Sequence, residues 1–172
     1  MSFIERYGPW AVVTGASEGT GREFARQIAA EGVPSILIAR REAPLAALVE
    51  EIRGESGVEC IAAAIDLAAP DAFDRIAEAV GEREVGLFVS NAGADPNGAR
   101  FLDRDIETWM QLVQRNSITM MRCCHHFAGP MQLAGGAMDP GFRRGGDFRS
   151  IAYGGVRLAP CQPQGLGPHR GA

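Results

Sequence analysis

A glycine-rich turn is the part of this sequence best suited to chemistry. The apolar run Trp10–Thr14 is followed by Gly15-Ala16-Ser17-Glu18-Gly19-Thr20-Gly21, and a helical pattern begins at Thr20. Glycines between a strand and a helix allow the backbone to approach a phosphate closely, and the helix N-terminus supplies N–H groups for it. The spacing G-x3-G-x-G differs from the common G-x-G-x-x-G, so for this turn alone an ordinary strand–helix loop is the alternative.

Polar residues also follow two further predicted strands. Asp66-Leu67 closes the third strand, and Ser90-Asn91-Ala92-Gly93 closes the fourth. The carboxyl ends of parallel strands share one edge of a sheet, where such sheets bind ligands. Asn116 lies later, in a helical segment, where a polar residue on a half-exposed helix is the alternative to a site residue.

Taken together and in this order, these segments resemble the motifs of the short-chain dehydrogenase/reductase family. The segments that carry the resemblance are Thr14–Gly21, Asp66, Asn91-Ala92-Gly93 and Asn116, and those similar to its NADP-dependent ketone reductases are Tyr7–Ser17 and Ile38–Arg41. The resemblance covers about residues 3–133. It implies a Rossmann-like fold, a nicotinamide cofactor, and reduction of a ketone or aldehyde or the reverse oxidation.

The resemblance also implies a role for each residue by its position. Asn116 would be catalytic, interrupting the long helix and holding a water in a proton relay. Asp66 and Leu67 would hold the adenine, and Ser90 stands where Asn is usual. The other cofactor-binding positions would surround the pyrophosphate and the riboses: Gly15, Ser17, Gly19, Thr20, Gly21, Asn91, Ala92 and Gly93.

The end of the second strand bears on the choice of cofactor. It reads Ala39-Arg40-Arg41 and contains no acid. A carboxylate at this place accepts the ribose hydroxyls of NAD and repels the 2′-phosphate of NADP, whereas guanidinium groups pair with phosphate. Arg40 and Arg41 therefore favour NADP over NAD, with two solvated arginines as the alternative. Against NADP, Glu18 occupies a loop position where NADP enzymes of the family often have a basic residue.

The catalytic centre implied by the resemblance is incomplete. The family uses a Ser, a Tyr, and a Lys four residues after the Tyr that lowers the tyrosine's pKa. All 17 basic residues of this chain are Arg. Tyr153 and Arg157 have the Tyr-x3-Lys spacing, but Pro140 stands where the Ser would fall and Arg is a poor substitute for an ammonium group. We interpret the match as accidental.

Two functions therefore compete. By resemblance the chain is an NADP-dependent oxidoreductase for a small carbonyl or alcohol substrate. We expect this polypeptide to be C-terminally truncated and inactive, because the switch in composition near residues 134–148 looks like a reading-frame change. The alternative is a non-catalytic NADP-binding remnant or an interaction module.

The run Cys123-Cys124-His125-His126 contains four potential metal ligands in succession. Adjacent helical residues point about 100° apart, so four in a row cannot converge on one ion unless the helix unwinds. No metal site is predicted, and packing is the preferred role for the cysteine pair.

Alternating strand and helix patterns precede residue 134. Buried strands are predicted at Trp10–Thr14, Ser35–Ala39, Gly57–Ala62 and Val85–Val89, and helices at 20–31, 42–55, 70–81 and 107–133. This order predicts an α/β fold with a Rossmann-like, doubly wound parallel sheet of about four strands. No fifth apolar strand is expected after the last helix, which would leave Val85–Val89 as a sheet edge prone to self-association.

Composition divides the chain at about residue 134. Residues 1–133, predicted to form the dinucleotide-binding domain, carry 19 acids and 12 Arg, whereas residues 134–172 carry two acids and five Arg. About 36% of this second segment is Gly or Pro, which predicts a disordered tail. The net charge of −4, the missing signal pattern and the short apolar runs favour a cytoplasmic protein without nucleic-acid or membrane partners.

Overall fold

The computed structural model of this protein describes residues 2–93, 98–133 and 151–153. Its strands form one parallel sheet in the order β3-β2-β1-β4-β5. The strands are β1 (Trp10–Thr14), β2 (Ser35–Ala39), β3 (Cys60–Ala64), β4 (Val85–Ser90) and β5 (Ile151–Tyr153). The helices are α1 (Phe3–Tyr7), α2 (Gly19–Ala30), α3 (Glu42–Ser56), α4 (Ala72–Val80), α5 (Ile106–Val113) and α6 (Thr119–Leu133). The prediction of a Rossmann-like parallel sheet is confirmed.

The two faces of the sheet have separate apolar cores. Alternate residues of a strand point to opposite faces, so Val13 packs beneath α2 and α3 while Val12 packs beneath α4 and α6. On the second face the rings of Phe88 in β4 and Phe127 in α6 lie with their centroids 5.2 Å apart. Because both faces are covered, the central strands consist of nearly continuous apolar residues, as the sequence pattern indicated.

The long helix predicted over residues 107–133 is divided into two. A π-helical turn, Gln114–Ile118, separates α5 from α6. The apolar pattern did not predict this turn, because apolar residues cover much of the surface of this segment and hide the change of phase that one extra residue introduces. The turn lies at the cleft described below and contains Asn116.

A fifth strand follows α6, contrary to the expectation that none would. Ile151–Tyr153 pairs in parallel with Phe88–Ser90. Three apolar residues are too few for a pattern to predict a strand, but they supply backbone partners to the carboxyl-terminal half of β4, whose pairing groups would otherwise lack them. The rest of the predicted tail, residues 134–150 and 154–172, lies outside the described residues, so its predicted disorder stays a prediction.

Two further short elements were not predicted. They are α1, which begins with a capping box of Ser2 and Glu5, and a 3₁₀ turn at Phe101–Asp103. In the described part of the chain, no helix is long and apolar enough to cross a membrane.

Candidate functional site

A cleft of about 270 Å³ opens at the carboxyl ends of the central strands. Its walls come from the loops after β1, β2, β3 and β4 and from the π-helical turn. The residues that line it are Gly15, Ser17, Glu18, Ala39, Arg40, Arg41, Ile65, Asp66, Leu67, Asn91, Ala92, Gly93 and Arg115. Residues predicted from four distant segments therefore meet at one edge of the sheet.

The glycine-rich turn is closed by backbone packing. Gly15 has a φ of 67°, and a Cβ on Gly21 would lie 2.1 Å from the carbonyl oxygen of Gly15. The Nδ2 of Asn91 donates a hydrogen bond to the same oxygen at 3.3 Å. No side chain fits between the turn and the start of α2, so the two glycines are a steric requirement of this loop.

The N-terminus of α2 has no side-chain cap. Glu18 is the N-cap residue, yet it makes no hydrogen bond to the first N–H groups of the helix. Gly19 has a φ of 55°, and the place of its missing Cβ has no atom within 4 Å. Thr20, the next predicted site residue, is exposed in the same turn. Helix N–H groups without a cap, facing open space, suit an anion such as phosphate.

Thr14 holds the two central loops together, a role that the sequence did not suggest. Its hydroxyl accepts hydrogen bonds from the backbone N–H of Asn91 at 3.1 Å and of Ala92 at 3.4 Å. It donates to the carbonyl oxygen of Val89 at 3.4 Å. The side chain is buried. One hydroxyl therefore fixes the loop after β4 against the end of β1.

The two arginines after β2 differ in their surroundings. The Nη2 of Arg41 lies 2.6 Å from the Oε2 of Glu18. Arg40 is exposed at the rim of the cleft, and it has no ion-pair partner among residues 2–93 and 98–133. Arg41 thus neutralises the carboxylate of Glu18, which would otherwise disfavour the phosphate of NADP. The charge of Arg40 remains available at the cleft.

The opposite wall is held by a side chain from α6. The Oγ1 of Thr119 is buried and donates to the carbonyl oxygen of Leu67 at 3.0 Å, across 52 residues of sequence. The Oδ1 of Asp66 accepts from the N–H of Ala68 at 3.0 Å. Thr119 was not predicted as a site residue, because an isolated threonine in a helix carries no motif.

Asn116 lies beside the loop that follows β4. Its Nδ2 donates to the carbonyl oxygen of Gly93 at 3.1 Å, and its Oδ1 accepts from the Nε of Arg115 at 3.2 Å. Asn116 does not itself line the cleft, whereas the half-buried Arg115 does. Arg115 is a second residue that the sequence did not suggest; the one available signal was its place next to Asn116.

A comparison with protein families identifies the family to which this chain belongs. The short chain dehydrogenase model matches residues 9–138. The chain belongs to the short chain dehydrogenase family. The match covers β1 to α6, and with them every wall of the cleft.

Individual relatives agree with this assignment. The chain is similar to a 7beta-hydroxysteroid dehydrogenase of Collinsella aerofaciens, with 32% identity over 127 residues, 74% of this chain and 48% of the relative. It is also similar to the solved structure of a 7beta-hydroxysteroid dehydrogenase, with a TM-score of 0.74 and 30% identity over 78% of this chain and 51% of that one. The chain thus spans about half the length of these relatives.

A third comparison includes a bound cofactor. The structure of a short-chain dehydrogenase from Sphingobium yanoikuyae in complex with NADPH matches with a TM-score of 0.70 and 29% identity, covering 76% of this chain and 51% of that one. Three features of the present chain fit such a nicotinamide cofactor. They are the uncapped start of α2, the tight contact between Gly21 and Gly15, and the exposed Arg40. Such a cofactor would supply or accept a hydride.

The catalytic side of the family site is only partly within the described structure. Tyr153 ends β5, and its backbone is in register with Ser90 at the end of β4. Pro140 and Arg157 lie outside the described residues. The structure therefore leaves the interpretation of an accidental Tyr-x3-Arg match as a prediction.

The Cys-Cys-His-His run lies away from the cleft on α6. Cys123 is buried and burial raises the pKa of its thiol to about 12, while Cys124 is half-buried and burial also raises the pKa of its thiol. His125 and His126 are exposed, and His126 packs edge-on against Phe73 with ring centroids 5.4 Å apart. Across the described ranges, no group of three or more potential ligands could hold a metal ion.

Proposed function

We propose that this chain binds NADPH in preference to NADH, as the nucleotide-binding part of an oxidoreductase for a carbonyl or alcohol substrate. The observation that carries the proposal is the exposed Arg40 at the rim of a cleft whose neighbouring helix start is uncapped. NADP differs from NAD by the 2′-phosphate, which a guanidinium binds and a carboxylate repels. The solved relative in complex with NADPH supports the same choice.

The neighbouring Arg41 contributes less to this preference. Its guanidinium is already paired with Glu18 at 2.6 Å. A phosphate that bound Arg41 would have to compete with that carboxylate, whereas Arg40 offers its charge without such competition in the described structure. The preference for NADP therefore rests mainly on Arg40, although both arginines follow the same strand.

The proposal is tested by titrating the 172-residue chain with NADPH and with NADH. We expect tighter binding of NADPH, and Arg40→Asp should reverse the order because it removes a phosphate partner and adds a repelling charge. The matched control is Arg53→Asp in α3, which changes the net charge equally, outside the cleft. Equal affinities of the unmodified chain for the two cofactors would contradict the role of Arg40.

We propose further that this polypeptide binds the cofactor without steady turnover. It contains no Lys, so no ammonium group is available to stabilise the ionised form of a tyrosine at working pH. A non-catalytic NADP-binding module is therefore the second candidate function. NADPH oxidation measured with a panel of ketones and aldehydes separates the two, and oxidation that is lost in Tyr153→Phe would contradict the second.

The role of Asn116 in a proton relay remains part of the first candidate. Both polar atoms of its amide are already engaged, with Gly93 and with Arg115. Its side chain therefore supports the loop after β4 and orders the edge of the cleft. If turnover is found, Asn116→Ala should lower kcat more than it weakens NADPH binding.

Self-association through α5 and its neighbours is also proposed. The apolar side chains exposed there are Phe101, Leu102, Ile106, Met110, Val113, Ile118 and Met121, and exposed apolar patches of this kind are typical of interfaces. Size exclusion with light scattering should show oligomers at micromolar concentration, reduced by Met110→Glu but not by the adjacent Gln111→Glu. A monomer of the unmodified chain would contradict this proposal.

The free thiols of Cys60, Cys123 and Cys124 support a reducing, cytoplasmic location.

A further inference from the structure

Arg115 adds a positive charge to the lining of the cleft, and no sequence motif predicted it. It lies on the π-helical turn and is half-buried. It lines the cleft together with Leu67 and Ala92, beside which it also borders a smaller cavity. The lining of the cleft therefore includes the guanidinium groups of Arg40, Arg41 and Arg115, and the carboxylate of Asp66.

The position of the Arg115 side chain is restrained at its base. Its Nε donates to the Oδ1 of Asn116 at 3.2 Å, and the amide of Asn116 is in turn bonded to Gly93. Arg115 also borders a small cavity of about 10 Å³ beneath the cleft, next to Leu67 and Thr119. A guanidinium anchored in this way is pre-organised, so less side-chain entropy is lost when it meets a ligand.

We infer that Arg115 is a cofactor-binding residue that contacts the adenosine end of NADPH. The inference rests on the proposed function. A planar guanidinium beside apolar side chains can stack on an aromatic base and can attract the phosphates at the same time. The neighbouring Asp66 and Leu67 are the residues that the family resemblance places at the adenine. Arg115 and Arg40 thus both bind the adenosine end of the cofactor.

The test measures the affinity of the full chain for NADPH and for adenosine 2′,5′-bisphosphate, which lacks the nicotinamide half. Arg115→Met keeps an unbranched apolar stem and removes the charge and the planar group. We expect it to weaken binding of both ligands roughly tenfold. Arg115→Lys keeps the charge without the plane, and it should restore only part of the affinity.

A control separates direct contact from a general effect of charge. Arg122→Met removes the same charge from α6, where the guanidinium of Arg122 lies over the ring of Phe73 and does not line the cleft. We expect this variant to bind adenosine 2′,5′-bisphosphate within about twofold of the unmodified chain. If Arg122→Met loses as much affinity for this ligand as Arg115→Met does, the loss reflects net charge rather than contact and the inference is overturned.

The result for the unmodified chain distinguishes failure of the proposed function from failure of the inference about Arg115. If it binds NADPH and Arg115→Met binds both ligands as tightly, the proposed function stands and the inference about Arg115 is wrong. If the unmodified chain binds neither ligand, the proposed function and the inference fail together. Thermal unfolding of each variant, compared with that of the unmodified chain, shows whether the folded state is retained at the titration temperature.

Discussion

The two walls of the cleft are built by different means. On one wall, the glycine-rich turn meets the start of α2 through backbone contact, with Gly21 against the carbonyl of Gly15. On the other wall, Thr119 and Asn116 hold Leu67 and Gly93 through side-chain hydrogen bonds from the divided helix. The first wall depends on the absence of side chains, and the second depends on particular polar atoms. Substitutions should therefore affect them to different extents.

The largest effect is expected from Gly21→Ala. The new Cβ would lie 2.1 Å from a backbone oxygen that no rotamer change can move, so the turn or the helix must shift. We expect a loss of more than about 3 kcal/mol in the free energy of unfolding, together with loss of NADPH binding. Chemical denaturation and cofactor titration measure the two effects.

The matched control for this substitution is Gly54→Ala in α3. Nothing lies within 4 Å of the Cβ that this change would add, and alanine is the better helix former. Stability should rise by up to about 1 kcal/mol. If Gly21→Ala behaved like Gly54→Ala, the turn would not be sterically closed and the contrast between the two walls would disappear.

An intermediate effect is expected from Thr14→Val, which acts between the walls. Valine has nearly the same shape but cannot accept the hydrogen bonds from the N–H groups of Asn91 and Ala92. Leaving these donors without their partner should cost about 2 kcal/mol in the free energy of unfolding. Thr14→Ser keeps the hydroxyl and is the control. If denaturation curves show that Thr14→Ser lowers the free energy of unfolding as much as Thr14→Val does, packing of the methyl group dominates.

The smallest effect is expected from Thr119→Val on the second wall. The substitution removes the hydrogen bond to the carbonyl oxygen of Leu67 and the one that Thr119 accepts from the half-buried Gln114, and it keeps the packing of the buried side chain. Stability should fall by about 1 kcal/mol, and NADPH affinity should fall because the loop after β3 is less firmly held. Thr108→Val, a threonine in α5, is the control. An effect of Thr119→Val larger than that of Gly21→Ala would reverse the comparison.

Much of the fold could be predicted because it depends on local patterns. The bounds of β1 and β2 agree with the predicted ones, α3 differs by one residue at its end, and α2 is shifted by one residue at both ends. Buried parallel strands need apolar residues on both faces, and helices repeat their apolar residues every three or four positions. The fifth strand was missed because three residues carry too little pattern, and its pairing depends on the position of β4.

The sequence by itself determined the order of strands and helices, the glycines of the turn, and the charge at the end of β2. These features follow from residue type and spacing within short segments, where sterics and periodicity act locally. Only the tertiary structure decided that Arg41 is paired with Glu18 while Arg40 faces the cleft, and that Thr14, Thr119 and Arg115 belong to the site. Each of these facts is a contact between residues far apart in the chain, or in the case of Arg115 a place on the cleft wall. Such contacts depend on how strands and helices pack, which no local pattern contains.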